Sequence, residues 1–264
     1  MTGLALHTWT LDSTPLGDVL RVARATGWDA IELRRVDFER AVERGETADD
    51  VLALVRQSRL AVACVGVAFG WMWAEGAERH RLLRVFGEQC ARAAGLGCAT
   101  VMSPVDKGKG SVRQAAASLR EVGDLAAAAR VRLAVEFNSQ ADQLASLERI
   151  REVLALAAHP ACGLLLDTYH LQRSGARPRD LDDVAPSEIS YVQYSDVPAS
   201  AGPGEIMPRL TPGRGIVPFK EWFGAFAAKG YQGYLSYEAP DPAAWTRPAD
   251  AVAREALTAT RALL

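Results

Sequence analysis

Four short apolar stretches in the second half of the chain each end in a side chain that can bind a metal through oxygen. The stretches are LAVEFN, LLLDTYH, SYVQYSD and YLSYEAP, and the side chains are Glu136, Asp167, Gln193 and Glu238. Separations of 31, 26 and 45 residues leave room for a helix and two loops before each following strand. Strands that alternate with helices run parallel, so we expect the four ends to lie at one rim of one sheet.

Three carboxylates and one amide oxygen at a single rim indicate a site for a hard divalent cation. A single acid at a strand end is ordinarily a helix cap or a loop charge, and recurrence at four strands is harder to explain in that way. Without a cation, three clustered carboxylates repel each other, which raises their pKa values and costs stability. Zinc favours His or Cys, so the oxygen set of Glu136, Asp167, Gln193 and Glu238 predicts one Mn, Mg or Co ion.

The rest of the chain supplies the elements that position this rim. It has 264 residues, of which 49% are hydrophobic, and this is enough to bury a large core. Strand-like and helix-like stretches alternate from LALHTWT to YLSYEAP without a change in composition, and we count eight strand–helix units. The pattern predicts an α/β fold, a single (β/α)8 TIM barrel forming one domain over residues 1–264. In such a barrel the carboxyl ends of the strands line the active site.

The sequence also places several individual helices and strands. Gly27 is expected to close the first helix, in PLGDVLRVARATG. We assign WDAIELRRV to the second strand and place the next helix around TADDVLALVRQSR. Between the sixth and seventh strands we place a helix within RPRDLDDVAPS.

Composition and charge narrow the class of protein. A net charge of −2 gives no indication of a basic face for nucleic acid. No apolar run reaches the roughly 18 residues of a membrane span, and the start MTGLALHTWTLDS lacks the pattern of a secretory signal. The four cysteines have apolar neighbours and no metal-site spacing, so we predict buried thiols in a cytoplasmic protein. Homo-oligomerisation is left open. The cysteines are Cys64, Cys90, Cys98 and Cys162.

Two tryptophans and one arginine in the predicted rim loops are candidate substrate contacts. Trp71 and Trp73 follow the third strand, where they either pack over a helix or form a pocket wall against the apolar face of a substrate. Arg209 lies in the long loop after the seventh strand, beside the turn Pro-Gly-Arg-Gly, and could reach back over the rim to a substrate oxygen. The part of this loop before Pro208 fits a lid and plain surface structure equally well.

Two histidines complete the candidate set. A lone histidine is ordinarily structural, but His170 follows the proposed ligand Asp167 so closely that we interpret it as a substrate contact or proton carrier. His7, in the first predicted strand, is counted among the substrate contacts.

The ordered set WDAIEL, Glu136, DTYH, VQYSD, PGRG and GYQGYLSYE resembles the sugar phosphate isomerase/epimerase group of xylose isomerase-like TIM barrels. The resemblance covers nearly the whole chain. It implies a metal on Glu136, Asp167, the strand-seven residue and Glu238, with the two glutamates as the proton-transfer pair. It also implies that His170 and Arg209 touch the substrate.

The residue at the end of the seventh strand refines the resemblance. Ketose epimerases of this group usually have a histidine where this chain has Gln193. The glutamine is similar instead to hydroxypyruvate isomerases and 3-dehydroshikimate dehydratases. DTYHLQ is similar to the former, and VQYSDVP with RLTPGRG to the latter. The endonuclease IV branch needs several histidines for its zinc centre, and this chain has only four in all.

Three functions follow, and the sequence favours the first. The first is a metal-dependent isomerase or epimerase of a small sugar or hydroxyketone, which acts by proton abstraction and an enediolate held by the metal. The second is a lyase of the 3-dehydroshikimate dehydratase type, which uses the same proton abstraction to expel a hydroxyl group. Lys107 and Lys109 are the loop cations that would favour a carboxylate substrate and hence the lyase. The third is a sugar-binding barrel without catalysis. In each case the partner is a small polyhydroxy carbonyl compound.

Overall fold

The computed structural model of the chain describes residues 3–199 and 208–264. Eight parallel strands form a closed barrel in which each strand pairs with the next and the eighth pairs with the first. This confirms the single (β/α)8 TIM barrel. The strands are β1 Leu4–His7, β2 Ala30–Leu33, β3 Ala61–Gly66, β4 Thr100–Pro104, β5 Arg132–Glu136, β6 Cys162–Asp167, β7 Ile189–Tyr194 and β8 Leu235–Tyr237.

The helices connect the strands and bury their apolar faces. In the first helix, for example, Val19, Leu20 and Ala23 are buried. Gly27 ends this helix with φ 91°, a left-handed conformation that favours glycine, as the sequence predicted. The helices are α1 Leu16–Thr26, α2 Arg35–Glu43, α3 Ala48–Ser58, α4 Gly76–Gly95, α5 Val112–Ala128, α6 Leu147–Ala157, α7 Thr168–Arg173, α8 Phe219–Ala228 and α9 Ala249–Arg261.

Three local assignments from the sequence are wrong. The helix expected within RPRDLDDVAPS consists of two short 3-10 turns, Pro178–Leu181 and Pro186–Glu188. A proline starts each turn, and Pro186, which has no backbone N–H to donate, prevents one continuous helix through the segment. The α-helix of this connection is α7, which begins directly after Asp167. The sequence analysis missed α2, whose N-terminus is held by Asp37 accepting from the backbone N–H of Arg34 at 2.7 Å. The first strand stops at His7 and continues as a 3-10 turn.

The inward-facing side chains of the strands are arranged in layers. Small residues such as Ala5, Ala30 and Ala134 form an inner apolar cluster, in which Leu165 and Tyr191 fill the remaining space. Successive side chains of a strand point to opposite faces, so the residues two positions further along share this inward face. They form the polar layer at the carboxyl rim. These residues are His7, Glu32, Glu136, Asp167 and Gln193.

The cysteines lie in the interior of the fold, and the helices are those of a barrel. Cys64, Cys90, Cys98 and Cys162 are all buried free thiols, as predicted. None of the helices within residues 3–199 and 208–264 is both long enough and apolar enough to cross a membrane.

Candidate metal and active site

Glu136, Asp167 and His170 meet at the carboxyl rim. Each offers one ligand atom, these atoms all lie within 4.8 Å of one another, and all three residues are buried. Glu136 ends β5 and Asp167 ends β6, while His170 lies on the short helix that follows β6. Asp167 also caps this helix, because its Oδ1 accepts from the backbone N–H of Tyr169 at 2.9 Å. A buried Glu/Asp/His triad of this kind suggests a site for a divalent metal ion.

Arg209 reaches from the long seventh loop into the same rim. Its Nη1 lies 2.5 Å from Asp167 Oδ2 and 3.1 Å from Glu238 Oε2. Its guanidinium carbon also lies 4.2 Å from the ring centroid of Tyr169, a cation–π distance. The arginine is therefore a cation buried between two of the carboxylates that the sequence assigned to metal binding.

Asp196, which the sequence analysis did not single out, holds the loop that carries Arg209. Its backbone pairs in both directions with Leu210, the residue after the arginine, at 2.8 and 2.9 Å. Its carboxylate accepts from the backbone N–H groups of Gly213, Gly215 and Val217 at 2.7–2.9 Å. This fixes the Pro-Gly-Arg-Gly turn against the end of β7. The earlier residues of the predicted lid, 200–207, lie outside the described residues.

Each of the two buried histidines faces one of the two candidate proton carriers. His7 Nε2 lies 3.4 Å from Glu238 Oε1, and His170 Nε2 lies 3.6 Å from Glu136 Oε1. In both rings Nδ1 accepts a backbone N–H, from Trp9 at 3.1 Å for His7 and from Ser139 at 3.2 Å for His170.

These hydrogen bonds decide the state of the two rings. Burial lowers the pKa of His170 to about 3, and burial followed by Arg34 and Arg209 lowers the pKa of His7 well below its usual value. Both rings are therefore neutral at pH 7. Because Nδ1 is the acceptor in each, the proton lies on Nε2 and points towards the carboxylate. His170 in this tautomer is a hydrogen-bond donor, and its Nε2 would have to release that proton in order to bind a metal.

The glutamates Glu136 and Glu238 of the rim have raised pKa values. Burial, followed by the charges of Glu238 and Asp167, raises the pKa of Glu136 well above its usual value. Burial also raises the pKa of Glu238 to about 7, although Arg209 acts in the opposite direction. Burial tends to lower the pKa of Arg209, but the surrounding carboxylates outweigh it and raise the value. Nearby positive charge is what these acids need in order to ionise.

Glu32, at the end of β2, is a fully buried acid that the sequence analysis quoted in WDAIEL but did not assign to the site. Its Oε1 accepts from Nε2 of Gln193 at 2.9 Å and lies 3.7 Å from Nε2 of His7. Burial is the largest cause that raises its pKa to about 8, while the hydroxyls of Ser236 and Tyr191 act to lower it. Its position at a strand end was the available signal.

The residues present fit a divalent cation. Glu136 Oε1 and Gln193 Oε1 are both buried, and neither has a hydrogen-bond partner in the described part of the chain. Buried oxygens are ordinarily paired, so two orphaned acceptors in one polar layer are consistent with metal ligands. A cation would also offset the burial, and then the repulsion between carboxylates, that raise the pKa values of Glu136 and Glu238.

A cavity of about 680 Å³ opens above these groups. Its floor includes Glu136, Glu238 and both buried histidines, and Arg209 lies at its side. The volume is within the range of small-molecule sites. Among the described residues, its aromatic wall is built from Trp9, Phe69, Tyr169 and Trp245.

The wall expected from Trp71 and Trp73 is thus formed by other side chains. Trp71 is 1% exposed, packs edge-on against Phe86 and donates from Nε1 to Ser103 Oγ at 3.1 Å. Trp73 is only partly buried and packs against the apolar core beside Gly108 and Gly110. The positions of Trp71 and Trp73 therefore support packing against the apolar core and not a role as pocket wall.

The lining of the cavity includes three further cations, Arg34, Arg35 and Lys107. Arg34 is mostly buried and lies 2.6 Å from Asp12, with its guanidinium 5.9 Å from the ring of Trp9. Arg35 contacts the ring of Phe69 at 5.4 Å, and Lys107 is exposed. Together with Arg209, the lining has four cationic side chains and two carboxylates, and Arg34, Arg35 and Arg209 each also pair with an acid, Asp12, Glu39 and Asp167 respectively.

The chain belongs to the xylose isomerase-like TIM barrel family, whose model matches residues 20–263. Its fold is similar to that of the IOLI protein with a bound zinc atom, with a TM-score of 0.89, 18% identity and coverage of 99% of this chain and 98% of the other. It is also similar to D-psicose 3-epimerase with D-tagatose from Clostridium cellulolyticum, with a TM-score of 0.77, 15% identity and coverage of 100% and 99%. At these identities the likeness shows the fold.

A distant sequence similarity links part of the chain to 3-dehydroshikimate dehydratase. The enzyme from Pseudomonas putida is 26% identical over 125 residues, which are 46% of this chain and 19% of that protein. The match therefore spans about a fifth of the length of the relative. Sugar epimerases and dehydratases are both found among the proteins that this chain resembles, so an enzyme with a small-molecule substrate is the reading that the family favours.

Proposed function

We propose that the protein is a divalent-metal-dependent isomerase or epimerase of a small hydroxyketone or sugar. The observation that carries this proposal is the arrangement of the rim, in which two buried glutamates each face the Nε2–H of a neutral histidine. A metal on Glu136, Asp167, Gln193 and Glu238 would supply a Lewis acid next to a substrate carbonyl. Mn, Mg or Co suits this oxygen set, and we expect one ion per chain.

The two glutamates are the proposed proton carriers. The ionised carboxylate of one removes the proton from the carbon next to the carbonyl, and the carboxyl group of the other returns a proton at the neighbouring carbon or the opposite face. A pKa of Glu238 raised to about 7 suits a group that must both accept and give up a proton near neutral pH. In the proposed reaction the Nε2–H groups of the two buried histidines, which face the glutamates, donate hydrogen bonds to substrate oxygens.

Arg209 contributes positive charge from the loop side. In the proposed reaction its guanidinium faces the substrate oxygen that becomes negative when the proton leaves. The anchor at Asp196 holds the arginine in this direction before substrate arrives, since it acts on the loop backbone. The aromatic wall excludes water from the reacting carbon.

Proton exchange tests this mechanism directly. Wild-type protein with saturating Mn should incorporate solvent deuterium into a hydroxyketone from a panel. Glu136→Gln and Glu238→Gln keep size and an oxygen donor but remove the basic carboxylate, so exchange should fall by about 100- to 10,000-fold at saturating metal. Glu148→Gln, on the exposed face of α6, is the matched control. Full exchange in both rim variants would refute the two-glutamate mechanism and direct attention to His170.

The second candidate function is a lyase of the dehydroshikimate dehydratase type. The cations in the cavity lining favour it, because Arg34, Arg35 and Lys107 could bind a substrate carboxylate. The same proton abstraction would then expel a β-hydroxyl group. Incubation with 3-dehydroshikimate distinguishes the two, since only the lyase produces aromatic absorbance. Absence of both exchange and dehydration across the panel would favour a sugar-binding barrel without catalysis.

A further inference from the structure

We propose that Glu32 is a positioning residue that fixes the side-chain amide of Gln193 with its oxygen towards the metal site. This rests on the proposed function, in which Gln193 is a ligand. Glu32 touches neither substrate nor metal in this proposal. It acts on the cation through the orientation of one neighbouring side chain.

The contact between the two residues is direct and buried. Glu32 and Gln193 lie on β2 and β7, across the barrel interior from each other, and both side chains are fully buried. The amide Nε2 of Gln193 donates to Oε1 of Glu32 at 2.9 Å. Oε1 of the amide is buried and has no partner among the described residues. The nitrogen of the amide is thus held by a hydrogen bond, while its oxygen is a buried acceptor with no partner among the described residues.

In its ionised form, which a cation bound nearby favours, the carboxylate of Glu32 only accepts hydrogen bonds and so selects this orientation over the reversed one. Rotating the amide by half a turn would bring its oxygen, in place of a donor, against Oε1 of Glu32 at a similar distance. It would also turn two N–H donors towards the rim, where a cation repels them. A glutamine ligand differs from a carboxylate in this respect, because only one of its two ends can bind a metal. A residue such as Glu32, which fixes the orientation of the Gln193 amide, therefore determines whether the amide oxygen can bind the metal.

The other polar neighbours of Glu32 do not orient the amide of Gln193. Ser236 Oγ and Tyr191 Oη are both buried near the acid, where they act to lower its pKa, but neither forms a hydrogen bond with the amide of Gln193 within the described ranges. His7 Nε2 is further away, at 3.7 Å, and faces Glu238 more closely. The hydrogen bond to Gln193 is the shortest contact of Glu32 with a proposed ligand, and the amide is the group that responds to its removal.

A double-mutant cycle on metal affinity tests the proposal. Mn affinity is measured by calorimetry or competition with a chromophoric chelator, in the wild type, Glu32→Gln, Gln193→Ala and the double variant. Glu32→Gln presents both a donor and an acceptor, so the amide of Gln193 can pair in either orientation. We expect it to weaken Mn binding by about 10- to 100-fold, as is usual when the partner of a ligand is changed. In the Gln193→Ala background the same change should alter affinity less than about twofold, a lack of additivity that direct coupling requires.

Controls separate orientation from general disturbance of the core. Ser236→Ala removes a neighbouring buried hydroxyl and should leave Mn affinity within about twofold, because that hydroxyl does not hold the amide. Circular dichroism and melting in chelator establish that each variant folds. Should Glu32→Gln not fold, Glu32→Asp takes its place, since it keeps the charge but withdraws the acceptor by one methylene.

The outcomes distinguish this proposal from the metal site itself. Loss of affinity in the wild-type background alone supports positioning through Gln193. Equal loss in both backgrounds would overturn it and assign Glu32 a direct or long-range electrostatic effect, while unchanged affinity in Glu32→Gln would overturn it outright. A wild-type protein that binds no Mn would refute the metal site and this role together. Binding without any substrate turnover would refute the proposed reaction only.

Discussion

Replacing Glu32 by glutamine should change how the stability of the metal-free protein depends on pH. A carboxyl group whose pKa is raised from 4.5 to about 8 in the folded state keeps its proton where the unfolded chain releases it. The free energy of unfolding therefore falls as pH rises between these two values, by about 1.4 kcal/mol per pH unit. Glu32 alone accounts for about 5 kcal/mol across the whole window, and for about 2 kcal/mol between pH 6.5 and pH 8.

The upper part of this window is the informative one. The pKa values of His7 and His170 are lowered on folding, so these rings add stability as pH rises towards 6.5 and oppose the carboxyl groups there. Above pH 6.5 the histidines lose their remaining protons in the unfolded chain, and their opposing contribution, less than about 1 kcal/mol for the two rings, is complete by about pH 7.5. Glu238, with a pKa of about 7, still contributes in the same direction as Glu32. We therefore expect stability to fall between pH 6.5 and pH 8.

Urea unfolding in excess chelator at pH 6.5, 7, 7.5 and 8 measures the effect. The wild type should lose stability over this range, and Glu32→Gln should lose about 2 kcal/mol less, because one of the acids is gone. Glu148→Gln, exposed on α6, should follow the wild type. Parallel pH profiles for wild type and Glu32→Gln would refute the assignment of a raised pKa to Glu32 and the burial argument behind it.

Three further predictions follow from the rim and the cavity wall. Mn at about 100 times its dissociation constant should add about 2.7 kcal/mol to the free energy of unfolding, and indifference to both metal and chelator in thermal melts would refute the site. Gln193→His should retain metal binding but shift the preference towards zinc, cobalt or nickel, and an unchanged ranking in competition titrations would show that Gln193 is not a ligand. Trp245→Ala should raise KM several-fold because it removes part of the wall, whereas Trp71→Phe should leave KM unchanged and cost about 1 kcal/mol of stability through the lost bond to Ser103. Equal KM changes in the two variants, measured with any substrate that is turned over, would contradict this placement.

The fold could be predicted from the sequence because it depends on two patterns, the two-residue alternation within each strand and the alternation of strands with helices along the chain. Alternation within β5 and β6 puts Ala134 with Glu136, and Leu165 with Asp167, on one face, and the closed barrel brings those faces inward. The same reasoning failed for α2, where a polar segment becomes helical because Asp37 caps its start. That contact depends on the conformation of the chain and has no periodic signature.

The candidate site was partly accessible from the sequence for a similar reason. Glu136 and Asp167 end apolar runs, and the rule that parallel strands end at one rim brings them together. Glu32 obeys the same rule, but the sequence analysis continued the second strand through Arg34 and Arg35, whereas β2 ends at Leu33, so the strand end was placed too late to single out Glu32. The burial of Trp71 was beyond sequence reasoning, because packing against Phe86 is a tertiary contact.

The aromatic wall and the acids of the floor belong to different parts of the fold, and this has a consequence for protein engineering. Trp9, Phe69 and Trp245 follow strands β1, β3 and β8 on loop segments, and Trp9 and Phe69 are 38% and 48% exposed. Half-exposed loop side chains tolerate replacement far better than buried strand residues do. A library confined to these three positions should therefore alter substrate preference while leaving the acid–base groups and the barrel intact, which makes this chain a suitable scaffold for directed evolution.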